Sequence, residues 1–162
     1  MNTPDVSIPE LAAVEVNGIS RSSFILRGAL GVGAVYGASA VAPFVSDALA
    51  ATSDVDILNF ALTLEYLEAD FYQSKGKSVG LSGQAKALAK SFGDEEAAHV
   101  GALTKAITAL GGKPVKMPTF AFPVTNQASF LKLAYVLENT GVGAYNGAAP
   151  SLSNSSVLAA AG

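Results

Sequence analysis

The side chains best placed to do chemistry are Glu95, Glu96 and His99, the last being the only histidine in the chain. On a helix, residues three and four apart share a face, so a carboxylate and the imidazole stand one turn apart. Such a pair can share a proton, or both groups can donate to one cation. With Leu88 as origin and about 100° per residue, Phe92, His99, Leu103, Ala106 and Leu110 fall within about 60° of it. Glu95 and Glu96 flank that arc. His99 is therefore predicted on an apolar stripe that faces a core. Two readings stay open here: a core histidine satisfied by a neighbouring glutamate, or part of a di-metal carboxylate site. The second needs further carboxylates from other helices.

Two other stretches supply them. A first helix is predicted over residues 54–74, opened by a capping box of Ser53 with Asp56 and closed by Lys75-Gly76-Lys77. Its polar residues Asp56, Asn59, Thr63, Tyr66 and Asp70 gather on one side. The wide remaining arc carries Leu58, Ala61, Leu62, Leu64, Leu67, Phe71 and Tyr72, with Glu65 and Glu68 inside it. A carboxylate aimed into a core is costly unless it is paired, neutralised or bound to a cation. Two of them at i and i+3 point to ligands. A third helix, 128–148, has an inward stripe of Leu131, Ala134, Tyr135, Val142 and Tyr145, with Glu138 at its centre. Leu58, Ala61, Leu64, Glu65 and Tyr72 recur in register as Leu131, Ala134, Leu137, Glu138 and Tyr145, the mark of a duplicated helical hairpin.

The second helix spans 82–110 and stops at Gly111-Gly112, with Pro114 just beyond. Gly93 and Gly101 inside it weaken helix propensity and imply a kink or close packing. Residues 111–127 hold Pro114, Pro118 and Pro123 and no helical period. A connection this long is unusual in a small domain. It fits a crossover that retraces the ~40 Å of helix two and starts helix three parallel to it. The alternative is a strand pair around Thr119, Phe120, Ala121 and Phe122.

Composition bounds the rest. The chain has 162 residues, half of them hydrophobic and 14% charged, with a net charge of −3 and no basic patch, so nucleic-acid binding is excluded. The lack of cysteine removes thiolate metal sites, disulfides and cysteine nucleophiles. No nucleophile motif supports a hydrolase. Both arginines, Arg21 and Arg27, precede an uncharged run over 28–46, and Asp47-Ala48-Leu49-Ala50 follows with small residues two apart. That order reads as an export signal over 1–50, leaving a domain over 51–162. A membrane anchor retained from the same run is the alternative, since it is just long enough to span. The long polar leader, the mildly hydrophobic Gly/Ala run and Ser20-Arg21-Ser22-Ser23-Phe24-Ile25-Leu26 resemble a twin-arginine signal, with Ser22 where the second arginine would stand. General secretion remains the other route.

LNFALTLEYLEADFY, FGDEEAAHVGAL and LAYVLENTGVGAY resemble the ferritin-like domain family, specifically its exported, desiccation-related group, over about residues 54–162. The resemblance implies an all-α four-helix bundle with a long helix 2–helix 3 crossover. It also implies a metal site of one Glu from helix one, Glu-x-x-His from helix two, Glu from helix three and a second Glu-x-x-His from helix four. Glu65, Glu96, His99 and Glu138 match the first four of these ligands, and Tyr72 matches a family tyrosine. Glu68, Glu95 and Tyr145 would be alternates or supporting groups. Iron or manganese is the implied metal, with zinc also compatible, because such ligands are hard to borderline donors.

The implied function is an exported metal-binding protein of oxidase or peroxide type, in periplasm, cell envelope or extracellular space. The competing reading is a metal-free structural or desiccation-protective envelope protein. A cage-forming iron store fits neither export nor the missing helix. The fourth helix is expected to be mostly missing: Leu152-Ser153 mirrors Leu81-Ser82, and counterparts of Glu96 and His99 would fall about 71 positions later, beyond Gly162. Three helices alone would expose apolar surface around Leu62, Leu103 and Val142, which predicts a truncated chain or a homodimer.

Overall fold

The computed structural model describes residues 53–148, Leu152 and Ser153, and for 143–148 the backbone alone. The expected export signal, the body of the fourth helix and the Tyr145 side chain lie outside the described residues.

Helix α1 (Asp54–Asp70) starts as its sequence predicts. Ser53 is extended, its Oγ accepts from the Asp56 amide at 3.2 Å, and its own amide donates to Asp56 Oδ2 at 3.1 Å. The predicted stop near Ser74 is corrected. The helix instead widens into a π-helical turn, Phe71–Lys75, and continues as an α-helical tail, Gly76–Ser78. Gly76 keeps right-handed helical angles (φ −55°, ψ −29°), so it does not break the helix as a left-handed glycine would. Single π turns inside helices often mark functional sites. This one leaves two consecutive aromatic residues, Phe71 and Tyr72, both buried.

Helix α2 (Gly83–Ala109) follows an extended Ser82, and α3 (Gln127–Ala148) begins with a second reciprocal cap. There the Ser129 amide donates to Asn126 Oδ1 at 3.0 Å and the Asn126 amide to Ser129 Oγ at 3.2 Å.

Hydrogen bonds fix the directions of the helices. Asn59, near the start of α1, donates to the Lys113 carbonyl at 3.2 Å and accepts from the Val115 amide at 2.9 Å, just past α2. The end of α2 therefore meets the start of α1, and the two are antiparallel. At the other end, the Ser82 amide donates to Gln127 Oε1 at 2.9 Å, so α2 and α3 start side by side. Residues 112–126 travel between these ends as the predicted crossover, without a strand around Thr119 to Phe122. After α3 the chain is back at the start of α1, where the Ser153 amide donates to Asp54 Oδ1 at 3.0 Å.

The core has two parts. At the crossover end Phe71 stacks on Phe130 with ring centroids 4.5 Å apart, and Phe122, Val124, Leu133 and Leu137 close around them. At the opposite end Leu58, Leu62, Leu103 and Ile107 pack together with Leu152 against them. Exposure expected around Leu62 and Leu103 is thus corrected, because α1 and α2 seal each other there. At Val142 the exposure is found.

The inward stripes of α2 and α3 also differ from expectation. On α2 the buried residues are Ala89, Gly93, Glu96, Leu103 and Ile107, while Leu88 is exposed. The helix is turned so that its smallest side chains meet α1. A Cβ on Gly93 would lie 3.1 Å from Tyr72 Cβ, so this glycine permits the close approach, and no kink is needed to explain it. On α3 Phe130, Leu133, Ala134 and Leu137 are buried, whereas Leu131, Tyr135 and Val142 face outward. Stacking of Phe130 on Phe71 sets that rotation.

Candidate metal centre

Between the aromatic and aliphatic halves of the core lies a belt of carboxyl groups. α1 contributes Glu65, 1% exposed, and one turn later Glu68, 6% exposed. α2 contributes Glu96, also 6% exposed, because the face carrying Ala89 and Gly93 is the one pressed on α1. His99 follows Glu96 by three residues, and its Nδ1 lies 2.8 Å from Glu96 Oε2 and 3.2 Å from Glu65 Oε2. One ligand atom each from Glu65, Glu96 and His99 falls within 4.8 Å of the others. The imidazole stands at the rim rather than mid-core, its side chain 56% exposed. This corrects its predicted place in the middle of the buried stripe, and it leaves one side of the cluster open to solvent.

Glu138 of α3 enters from a third direction. Tyr72, set by the π turn, donates its hydroxyl hydrogen to Glu138 Oε1 at 2.6 Å. Tyr72 itself is wedged edge-on against Phe92, with centroids 5.6 Å apart. Glu95, the other glutamate near His99, is exposed and accepts from Ser91 Oγ at 3.0 Å. Of the predicted site residues, Glu65, Glu96 and His99 converge. Glu138 joins through Tyr72, Glu68 lies within reach of their charge, and Glu95 stays on the surface.

The electrostatics follow from burying like charges together. Burial, and then the neighbouring Glu65, push the Glu96 carboxyl up to about 7, against a lowering pull from His99. Burial lifts Glu68 well above the usual carboxylate range, and the charges of Glu65, Glu96 and Glu138 add to it. Burial also raises Glu138, opposed by the Tyr72 hydrogen bond. Burial and the bond to Glu138 push the Tyr72 phenol far up, so it stays a donor. At His99 burial favours the neutral ring, but the bond to Glu96 and the Glu65 and Glu96 charges outweigh it and raise the imidazole. The protein thus concentrates negative charge in a low-dielectric belt and offsets it with one imidazole at the rim.

That donor set fits a divalent transition metal. Carboxylate oxygens and one imidazole nitrogen are borderline to hard ligands, and a cation would cancel the repulsion that protons now relieve. The same His99 Nδ1 and carboxylate oxygens that face each other are the atoms that would bind it.

An antiparallel α1–α2 pair, a long crossover to a parallel α3, and carboxylate and histidine groups meeting in the interior define a helical-bundle protein of the carboxylate–histidine class. The model of the ferritin-like domain matches residues 53–162, and the chain belongs to that family. No curated protein and no solved structure matches it significantly. Among the described residues, no helix is long and apolar enough to cross a membrane.

Two features of the site escaped sequence reasoning. The π turn has no pattern in FYQSK that sets it apart from a continuing α-helix. Gly141, which lies against Glu68, had a legible signal: it occupies the position of Glu68 in the second copy of the repeat.

Proposed function

We propose that this chain binds a divalent metal, iron or manganese, through Glu65, Glu96 and His99, with Glu138 as a fourth ligand steered by Tyr72. The observation that carries this reading is the convergence of two nearly inaccessible carboxylates and an imidazole within 4.8 Å. When bound, the metal would supply redox chemistry toward oxygen or peroxide. The chain's own groups prepare the site: Glu65 and Glu96 provide charge, His99 orients Nδ1 toward both, and the flanking apolar clusters exclude bulk water from all but the His99 rim. Tyr72 holds one oxygen of Glu138 by its hydroxyl hydrogen, leaving the other oxygen available.

The reading extends to an exported protein. Arg21 and Arg27 before the uncharged run of 28–46, and the small residues Ala48 and Ala50, support a signal directing the domain to the periplasm, envelope or exterior. The stretches LNFALTLEYLEADFY, FGDEEAAHVGAL and LAYVLENTGVGAY support a kinship with the exported, desiccation-related group of the family. The competing reading, a metal-indifferent protective bundle, draws support from the hydrogen bonds by which His99 can satisfy Glu65 and Glu96 directly.

Metal content after dialysis against Mn(II) separates the two. The native protein is expected to retain metal, and His99→Ala to lose ~10-fold or more in affinity, since even indirect contacts to ligands are worth that much. Equal retention by both proteins would leave the protective reading standing.

A further inference from the structure

We propose that Glu68 is a further carboxylate ligand of this centre, and that Gly141 is the residue that makes room for it. The inference rests on the metal-binding reading above and adds a ligand that the match to the family's ligand pattern leaves aside.

Three observations lead to it. The first is the state of the carboxyl group. Glu68 is 6% exposed, and among the described residues no hydrogen bond or ion pair reaches its carboxyl oxygens. Buried polar groups in native proteins nearly always have a partner, and one without a protein partner calls for a ligand, water or ion. Tyr72 serves Glu138 and His99 serves Glu65 and Glu96, so each neighbouring carboxylate is provided for while this one is not.

The second is the space around it. A Cβ on Gly141 would stand 3.0 Å from Glu68 Oε1, 3.5 Å from Oε2 and 3.6 Å from Cδ. Both oxygens therefore lie over the bare α-carbon of α3, in a place any other residue would fill. The third is the internal repeat. With Glu65 matched to Glu138, the partner of Glu68 is Gly141. One copy of the hairpin carries the carboxyl group and the other carries its vacancy, so a single side chain fills the volume shared by α1 and α3.

Glu68 also follows Glu65 by one turn on the same face, and the charges of Glu65, Glu96 and Glu138 all act on it. A cation held by Glu65, Glu96 and His99 would turn that repulsion into attraction. Glu68, in the space that Gly141 leaves open, would then donate an oxygen.

The test is calorimetric titration of Mn(II) into the metal-free full chain, comparing native protein with His99→Ala, Glu68→Gln, Glu68→Ala and Gly141→Ala. Glu68→Gln keeps the shape and removes the charge, so it should melt cooperatively when metal-free and still bind Mn(II) ~10-fold or more weakly. Gly141→Ala keeps the Glu68 carboxyl group but must displace it; Mn(II) affinity should fall in the otherwise native chain and should not fall further when the substitution is added to Glu68→Ala. Native affinity in both Glu68 variants, with binding lost in His99→Ala, would overturn the role of Glu68 and leave the metal site intact. No Mn(II) binding by the native protein would overturn both. An equal effect of Gly141→Ala with and without Glu68 would remove Gly141 from the account.

Discussion

Between α1 and α3 the sequence recurs at an interval of 73 positions: Leu58, Ala61, Leu64, Glu65 and Tyr72 become Leu131, Ala134, Leu137, Glu138 and Tyr145. The local structure recurs with it. Ser53 and Asp56 cap one helix reciprocally, and Asn126 and Ser129 cap the other at the matching positions. The tethers recur too. The Ser82 amide bonds to Gln127, the first residue of α3, and the Ser153 amide bonds to Asp54, the first residue of α1. The surroundings do not. Glu65 is sealed between α1 and α2 beside His99, whereas Glu138 is half-buried with Tyr72 as its partner. Leu62 is wholly inaccessible, while its counterpart Tyr135 is 67% exposed. A shared template sets helix, cap and tether. What packs opposite decides whether a given side chain is core or surface.

The sharpest test of that contrast pairs equivalent positions. Leu62→Ala is expected to cost ~2–5 kcal/mol in chemical denaturation, as a buried leucine truncated in a sealed core. Tyr135→Ala is expected to stay within about 0.5 kcal/mol. Equal losses would show that the outer face of α3 is covered in solution, as in a homodimer.

Acidity should come next in size. Burial and Glu65 raise Glu96 from 4.5 to about 7, and burial raises Glu68 and Glu138, so the folded state holds more protons than the unfolded chain across that window. His99, also raised overall, adds protons in the same sense. Stability of the metal-free protein is therefore fully present below the unfolded carboxyl range and falls as pH rises through about 7. Its Tm should be higher at pH 5 than at pH 8. Saturating Mn(II) should reduce the difference, because the cation stabilises the ionised carboxylates. A metal-free Tm that climbs between those pH values would contradict the like-charge belt.

Smaller effects probe the third direction of approach and the caps. Tyr72→Phe removes one hydrogen bond to a half-buried carboxylate and should cost ~1 kcal/mol. It should also raise Glu138 further, since that bond lowers it, which carboxyl NMR titration would read. Ser53→Ala and Asn126→Ala should each cost ~1 kcal/mol, and by similar amounts. A large inequality would mean that the two caps are not equivalent.

Much of this arrangement was legible in the sequence because local rules govern it. The cap at Ser53, the boundaries of α2, and the crossover forced by three prolines follow from neighbouring residues alone. Glu65 and Glu68 stood out because an apolar arc surrounds them on every side. Rotation was not legible on α2 and α3, where apolar residues cover more than one face. On α2 the choice between Glu95 and Glu96 depended on Ala89 and Gly93 fitting against Tyr72. On α3 it depended on Phe130 stacking with Phe71. Both are contacts between distant segments, invisible to a helical period. The π turn was missed for a similar reason: packing of Phe71 and Tyr72, rather than propensity, is what it serves.

The measurement closest to the central claim is anomalous diffraction at the manganese edge from crystals soaked in Mn(II). The account expects a peak within bonding distance of Glu65 and Glu96 carboxylate oxygens and of His99 Nδ1. Strong Mn(II) peaks confined to surface acids such as Asp94 or Glu95, with none at this cluster, would contradict it.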